Sequence, residues 1–111
     1  MKMLYISHPY TGNEQQNLQL AEEIAAKLAK EFQHILFINP LNSMRHLKTA
    51  ELEYDVVLAQ CIELLDRCDG IIMAGNWVQS RGCREEYNHA IAHNKLVFLS
   101  VDEFIKRCEN G

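Results

Sequence analysis

The sequence predicts an α/β fold in which a parallel sheet carries helices on both of its faces. Four short apolar runs alternate along the chain with segments whose apolar residues recur every three or four positions. Strands that alternate with helices form parallel sheets joined by right-handed crossovers. The 111 residues suffice for one such core and are too few for two, so we expect a single domain over residues 1–111.

The first half of the chain contains two predicted strands and one long helix. The first strand spans Lys2 to Ser7 and stops at the loop His8 to Gly12, where proline and glycine interrupt regular structure. From Asn13 the period changes and predicts a helix of about five turns. Its apolar residues are Leu18, Ala21, Ala25, Leu28 and Phe32. The second strand, Ile35 to Ile38, ends at Asn39-Pro40, because proline holds the preceding residue extended.

The second half continues the alternation. In order, we predict a loop with a helical turn (41–50), a helix (51–67), a strand (70–74), a loop (75–82), a helix (83–94), a strand (96–100) and a short helix (101–108). Ligands of parallel sheets bind outside the carboxyl ends of the strands. The loops 8–12, 39–50 and 75–82 are therefore where we expect the chemistry.

Composition limits the classes of function. A formal net charge of −4 argues against a polymeric nucleic acid as partner, since such partners favour a basic patch. The apolar runs are far shorter than the roughly 20 residues of a membrane span. The first residues lack the pattern of a signal peptide, so we expect a cytoplasmic protein. The cysteines form no C-x-x-C pair and are expected to be reduced thiols.

One helix carries a possible metal-binding pattern. Glu85, His89 and His93 recur at a spacing of four, which places them on one face. A solvated stripe explains this pattern more simply, because no further ligand type follows nearby in the sequence. We therefore expect no metal site and no cofactor.

The segment from Gly75 to Glu86 mixes small, polar, aromatic and charged residues between a strand and a helix. Ser80 is placed to cap that helix, and the free N–H groups around Arg81 and Gly82 suit an anion such as phosphate. Glu86 follows about one turn later and points back toward the same end. The simpler alternative is an ordinary helix start with a serine cap and a first-turn acid.

Further contacts with a ligand are open to two interpretations. Arg81 suits bidentate binding of a phosphate; the alternative is a surface ion pair with Glu85 or with the acidic N-terminal helix. The aromatic rings of Trp77 and Tyr10 suit stacking on a base, and each is equally consistent with simple packing.

Four short motifs follow one another along the chain: Tyr5-Ile6-Ser7-His8-Pro9, Asn39-Pro40, Cys68-Asp69 and Trp77-x-x-Ser80-Arg81-Gly82-x-x-x-Glu86. In this order they resemble the nucleoside 2-deoxyribosyltransferase-like superfamily, especially its small phage-associated members and the deoxynucleoside 5'-monophosphate N-glycosidases. The resemblance covers almost the whole chain. It implies a flavodoxin-like three-layer sandwich with a central parallel sheet of four or five strands. It also implies hydrolysis or transfer at the N-glycosidic bond of a (deoxy)nucleoside or its 5'-monophosphate.

The resemblance implies roles for single residues. Glu86 matches the nucleophile, Tyr5 the tyrosine that orients it, and Ser80 a phosphate contact. Further substrate contacts are expected from Ser7, His8, Pro9, Tyr10, Asn76, Trp77, Arg81 and Gly82. A carboxylate suits this chemistry because it can form a covalent intermediate at the sugar carbon. The implied partner is a small-molecule nucleoside or nucleotide, and the implied assembly is a homodimer or larger homo-oligomer.

The chain departs from the family where an acid is expected to protonate the leaving base. The family places an aspartate eight residues before the position of Asp69, and this chain has Cys61 there. Asp55, Asp66 and Asp69 lie nearby in sequence as alternatives. His8 replaces a small residue of the family, and its imidazole either narrows the pocket or supplies the missing acid.

Three functions therefore remain open. The first is an N-glycosidase or deoxyribosyltransferase that uses Glu86. The second is a nucleotide-binding module that retains the pocket without turnover, motivated by Cys61 at the acid position. The third is a protein whose role is assembly and whose pocket is incidental.

Overall fold

The computed structural model describes residues 1–110, which form a four-stranded parallel sheet between two layers of helices. Its strands are β1 (Lys2–Ser7), β2 (Ile35–Ile38), β3 (Gly70–Met73) and β4 (Leu96–Phe98). They lie in the order β2-β1-β3-β4, and every neighbouring pair is parallel. The predicted α/β fold is confirmed, with four strands in the sheet.

The helices follow the predicted order of long elements. They are α1 (Glu14–Glu31), α2 (Pro40–Ser43), α3 (Arg45–Thr49), α4 (Tyr54–Asp66), α5 (Arg81–Ala92) and α6 (Val101–Asn110), with a 3-10 turn over Trp77–Gln79. Segment 41–50 holds two short helices in place of the predicted loop with one turn, because Pro40 starts a helix well and Leu47 is buried. None of the helices in residues 1–110 has both the length and the apolar character of a membrane span.

Each face of the sheet packs against its own pair of helices. Leu4 and Ile6 of β1 contact the apolar cluster that contains Phe104 of α6 and residues of α1. Tyr5 of β1 and Ile71 of β3 belong to the opposite cluster, together with residues of α4 and α5. Successive residues of a strand point to opposite faces, so β1 supplies both cores from alternate positions.

The order of the strands reverses at β1, which has β2 on one side and β3 on the other. The loops that follow β1 and β3 therefore leave the sheet side by side, which is where such folds bind ligands. The two loops approach closely at Gly75, whose φ is +60°. A Cβ on Gly75 would lie 3.0 Å from His8 Nε2, so the absence of a side chain allows this approach.

We expect Gly70→Ala to destabilise the protein, because a side chain at this residue of β3 would clash with β4. A Cβ there would lie 2.7 Å from both the Cβ and the carbonyl oxygen of Leu96. Alanine lowers the entropy of the unfolded chain, which alone would raise the free energy of unfolding by about 0.4–1 kcal/mol. Overpacking lowers the free energy of unfolding by about 1–3 kcal/mol. Because the obstacle includes backbone, we expect a lower urea midpoint at an unchanged m value. A raised midpoint would contradict this packing.

Candidate active site

The centre of the site is a carboxylate that joins α5 to β1. Glu86 of α5 is only 8% exposed and faces the carboxyl end of β1. The hydroxyl of Tyr5 donates a hydrogen bond to Oε2, and the hydroxyl of Ser7 donates one to Oε1 at 2.7 Å. Tyr5 and Ser7 are two residues apart on a strand and share one face, so both reach the same carboxylate. Each oxygen of Glu86 therefore accepts a hydrogen bond from a buried hydroxyl.

The surroundings of Glu86 act on its pKa in opposite directions. Burial raises the pKa of the carboxyl, and the hydrogen bonds from Tyr5 and Ser7 lower it again in part. Burial, and then the charge of Glu86, raise the pKa of Tyr5 well above its ordinary value, so Tyr5 stays a phenol that donates. The carboxylate is thus poorly hydrated and held in one orientation, which are properties of an activated nucleophile.

Glu86 opens into a cavity of about 1380 Å³ at the carboxyl ends of β1 and β3. Its walls come from the loop after β1, from α2 and α3, and from the first turns of α4 and α5. The cavity exceeds the 300–1,000 Å³ that is usual for a small-molecule site, so it has room for a nucleotide. Most of the predicted substrate contacts lie in its wall: His8, Pro9, Tyr10, Asn76, Ser80, Arg81 and Gly82.

Two of the predicted contacts lie elsewhere. Trp77 is absent from the cavity wall; its indole Nε1 donates to the carbonyl oxygen of Leu99 at 3.1 Å, and its ring packs on Tyr87 at 5.1 Å. We therefore withdraw Trp77 as a substrate contact, because packing of the loop against the sheet already uses its side chain. Ser7 is fully buried, and its hydroxyl donates a hydrogen bond to Glu86. Any effect of Ser7 on a ligand is therefore indirect, through that carboxylate.

The start of α5 combines the cap expected from the sequence with an exposed cation. The Ser80 side chain accepts from the backbone N–H of Cys83 at 3.3 Å, so Ser80 is the N-cap. This cap starts the helix at Arg81, two residues before the predicted Cys83. The Arg81 side chain is 62% exposed at the edge of the cavity and forms ion pairs with Glu85 at 3.1 Å and with Asp55 at 3.6 Å. Both interpretations of Arg81 therefore fit its position.

Tyr54 is a cavity residue that the sequence reasoning missed. It begins α4, its ring lies 4.9 Å from the guanidinium of Arg81, and its hydroxyl lies 3.0 Å from where a Cβ on Gly82 would be. The available signal was its spacing from Cys61, seven residues later on the same helix. That spacing is shared with core residues, so it does not identify a cavity face by itself.

Cys61 also lies in the cavity wall, next to Tyr5. Burial, followed by the charge of Glu86, raises the pKa of its thiol to about 11. A group with that pKa is neutral at physiological pH and is a poor proton donor. The structure thus brings Cys61 beside the central carboxylate as an uncharged thiol.

The aspartates considered as alternative acids are engaged away from Glu86. Asp55 is 86% exposed beside Arg81. An oxygen of Asp66 lies 2.6 Å from Nε2 of His89, and this contact lowers the pKa of the Asp66 carboxyl. Asp69 accepts a hydrogen bond from the backbone N–H of Met3 at 2.8 Å. All three side chains therefore have structural partners.

His8 is 7% exposed and lies at the carboxyl end of β1. Its Nδ1 donates to the carbonyl oxygen of Pro9 at 2.8 Å, and its Nε2 lies against Gly75. Because a carbonyl oxygen only accepts, this contact requires a proton on Nδ1. The imidazole lies in the cavity wall, a position that fits both expectations for it, a narrower pocket and a proton donor.

The possible metal-binding stripe has other contacts. His89 stacks on His93 with ring centroids 3.9 Å apart, and Glu85 pairs with Arg81. Within residues 1–110, no group of three or more histidine, cysteine, aspartate or glutamate side chains has an arrangement that could hold a metal ion.

Comparison with known proteins gives a family and a fold. Residues 2–99 match a family described as a domain of unknown function, DUF4406. The curated proteins returned no match. Among solved structures, the chain is similar to a 2-desoxiribosyltransferase from Leishmania mexicana, with a TM-score of 0.63 and 17% identity over 90% of this chain. The chain spans 65% of the length of that protein, and the likeness shows a shared fold.

We expect Tyr5→Phe and Ser7→Ala each to raise the pKa of Glu86. Both hydrogen bonds favour the charged carboxylate, so the loss of either one favours the protonated form. NMR titration of the side-chain carbonyl carbon of Glu86 measures this directly. Tyr87→Phe is the matched control, because Tyr87 lies on the same helix and packs on Trp77. An unchanged titration of Glu86 in Tyr5→Phe would contradict the assigned hydrogen bond.

We expect Glu86→Gln to stabilise the protein at neutral pH. The folded-state pKa of Glu86 exceeds its unfolded value, so its carboxyl stabilises most below the unfolded pKa, and this stability is lost as the pH rises through the folded pKa. Glutamine keeps the volume and removes the charge. We expect a gain of about 0.5–2 kcal/mol in the free energy of unfolding at neutral pH. The gain should shrink toward zero below about pH 4.

Urea denaturation across this pH range measures the effect of Glu86→Gln. Glu85→Gln is the control, because Glu85 is the neighbouring, more exposed carboxylate and pairs with Arg81 at the surface. A loss of stability in Glu86→Gln at neutral pH would contradict the assigned cost of the buried charge.

Proposed function

This chain belongs to the DUF4406 family, and we propose that it hydrolyses or transfers at the N-glycosidic bond of a (deoxy)nucleoside or its 5'-monophosphate, with Glu86 as nucleophile. The observation that carries this proposal is the geometry of Glu86. The carboxylate is 8% exposed, accepts hydrogen bonds from Tyr5 and Ser7, and opens into the large cavity. The fold shared with a 2-desoxiribosyltransferase supports the same class of chemistry.

The proposed reaction has two displacement steps. A carboxylate oxygen of Glu86 bonds to C1' of the sugar, and the bond from C1' to the base nitrogen breaks with its electron pair on the base. Water or a second base then attacks C1', loses a proton that balances the charge of the departed base, and releases the carboxylate. Tyr5 and Ser7 favour this sequence in two ways: they hold both oxygens in place and lower the pKa that burial has raised. The carboxylate of Glu86 therefore ionises at a lower pH than it would if burial acted alone.

The 5'-end of the substrate is proposed to lie at the start of α5. The first backbone N–H groups of a helix favour anions, and Ser80, Arg81 and Gly82 all lie in the cavity wall there. Arg81 is exposed enough to exchange its surface ion pairs for a bidentate contact with phosphate. A free hydroxyl in place of phosphate would leave those ion pairs intact, so both substrate forms fit the site.

We further propose a homo-oligomer that works in the cytoplasm. Apolar side chains remain exposed around strand β4 and the ends of α5, among them Val78, Ile91, Leu96 and Leu99. A contiguous patch of such groups is typical of a surface that a second subunit covers. Sedimentation equilibrium measures the mass in solution, and a monomer at micromolar concentration would contradict the oligomer.

A binding module without turnover is the second candidate, and Cys61 is the observation that favours it. A thiol with a pKa of about 11 lies beside the nucleophile, and it cannot assist a leaving base as an acid would. This candidate shares the cavity and the ligand class with the first. The two differ only in whether the glycosidic bond breaks.

Incubation with deoxynucleosides, their monophosphates and nicotinamide dinucleotide tests the proposal, with chromatography of the released base. We expect Glu86→Gln to reduce turnover by about 10³-fold or more, because it removes the nucleophile and keeps its volume. Glu85→Gln is the matched control at the next position of α5. Base release that survives Glu86→Gln would sink the mechanism. Binding by the unmodified protein without any release would favour the binding module.

A further inference from the structure

One face of α4 forms a continuous wall of the cavity, and that face contains no group that donates a proton readily. Its cavity residues are Tyr54, Val57, Leu58 and Cys61. They are spaced at three, four and seven residues, so they form one stripe along the helix. Leu20, Leu41, Met44 and Leu52 extend the wall from neighbouring segments with further apolar surface.

None of the carboxylates of α4 lines the cavity. Asp55, Glu63 and Asp66 each pair with a cationic or imidazole side chain. Their partners are Arg81 at 3.6 Å, Arg67 at 3.0 Å and His89 at 2.6 Å, respectively. Among residues 1–110, the other acidic side chains of the cavity besides Glu86 are Glu14, which pairs with Lys48 at 3.0 Å, and Glu51; both are solvent-accessible.

The negative charge of Glu86 is neutralised by no cationic side chain in the described residues. Its two hydrogen-bond partners are the hydroxyls of Tyr5 and Ser7, and the nearby Arg81 pairs with Glu85 and Asp55. Buried charges in proteins are usually paired with a charge of opposite sign. A positive charge on the ligand would supply the missing partner at close range.

On the basis of the proposed function, we infer that the natural substrates are N-glycosides whose base is already cationic, such as an N-glycosyl pyridinium or an N7-alkylated purine. Such a base departs as a neutral molecule and needs no proton from the protein. A neutral base, in contrast, leaves as an anion unless an acid protonates it. The apolar wall formed by α4 suits the neutral product, and Glu86 suits the cationic reactant.

The balance of the reaction follows from these charges. An oxygen of Glu86 bonds to C1', and the electron pair of the C1'–N bond moves to the ring nitrogen and neutralises it. Water then attacks C1', the bond from C1' to the Glu86 oxygen breaks, and its electron pair restores the carboxylate. One proton from that water passes to the solvent. Hydrolysis therefore yields a neutral base, a free sugar and one proton.

Guanosine and 7-methylguanosine are a matched substrate pair, because they differ by one methyl group and one positive charge. Each is offered as the ribonucleoside, the 2'-deoxyribonucleoside and the 5'-monophosphate, and the rate without protein is subtracted. We expect kcat/KM for the methylated form to exceed that of the unmethylated form by about 10²-fold or more, the lower end of what an acid contributes. Comparable values for the two forms in the unmodified protein would overturn the inference.

Two causes could make the methylated substrate react faster: the lack of an acid in the site and the intrinsic reactivity of the methylated base. Cys61→Asp distinguishes between them. It places a carboxylic acid on the α4 wall beside Tyr5, so we expect it to narrow the ratio between the two substrates by about tenfold or more. Cys61→Asn is the control, since it has the same shape and no acidic proton. Equal ratios in Cys61→Asp and Cys61→Asn, with both variants folded by circular dichroism, would count against the inference.

Two further outcomes are distinguishable. Cleavage of guanosine that is lost in His8→Gln would identify His8 as an acid and overturn the inference while leaving the proposed function intact. Failure to cleave any member of either series would overturn the proposed function.

Calorimetry then tests the charge argument alone: we expect 7-methylguanosine to bind more tightly than guanosine, and Glu86→Gln to remove this difference. Equal affinities in the unmodified protein would contradict it.

Discussion

The buried carboxylate of Glu86 is the constraint on which the rest of the site depends. It sits at 8% exposure because α5 packs against the face of β1 that carries Tyr5 and Ser7. Burial of a charge is unfavourable, and two hydroxyl donors from one strand reduce that cost without neutralising the charge. The result is a buried carboxylate whose charge is only partly compensated.

The position of this carboxylate follows from the topology of the sheet. The strand order β2-β1-β3-β4 places the reversal at β1, so the loops after β1 and β3 leave a space between them. Gly75 lets one loop approach His8 of the other, and Ser80 fixes where α5 begins. These two loop features set how far Glu86 stands from the end of β1. The cavity is thus a consequence of backbone connectivity as much as of side-chain choice.

This chain shares its fold with a 2-desoxiribosyltransferase at 17% identity. The two backbones are therefore similar although few of their side chains are the same. The α4 wall is where this chain has its own chemistry. Cys61 and the apolar residues before it make that wall uncharged, and the acidic residues of α4 turn toward solvent or toward other helices. The α4 wall therefore contributes shape to the cavity, and its charged groups come from other elements, such as Glu86 and Arg81 of α5.

The sequence by itself determined the order of strands and helices, because the change between apolar runs and helical spacing is a local property of the chain. It also pointed to Glu86, Tyr5 and the Ser80-Arg81-Gly82 turn through short motifs. Tertiary structure alone decided which side chains meet. Ser7 reaches Glu86, Trp77 turns away to pack on Tyr87, and Tyr54 enters the cavity wall. The physical reason is that periodicity is a local property and indicates only which face of an element is covered. The partner that covers this face is set by contacts between residues distant in sequence, such as the pairing of Tyr5 with Glu86 across 81 positions.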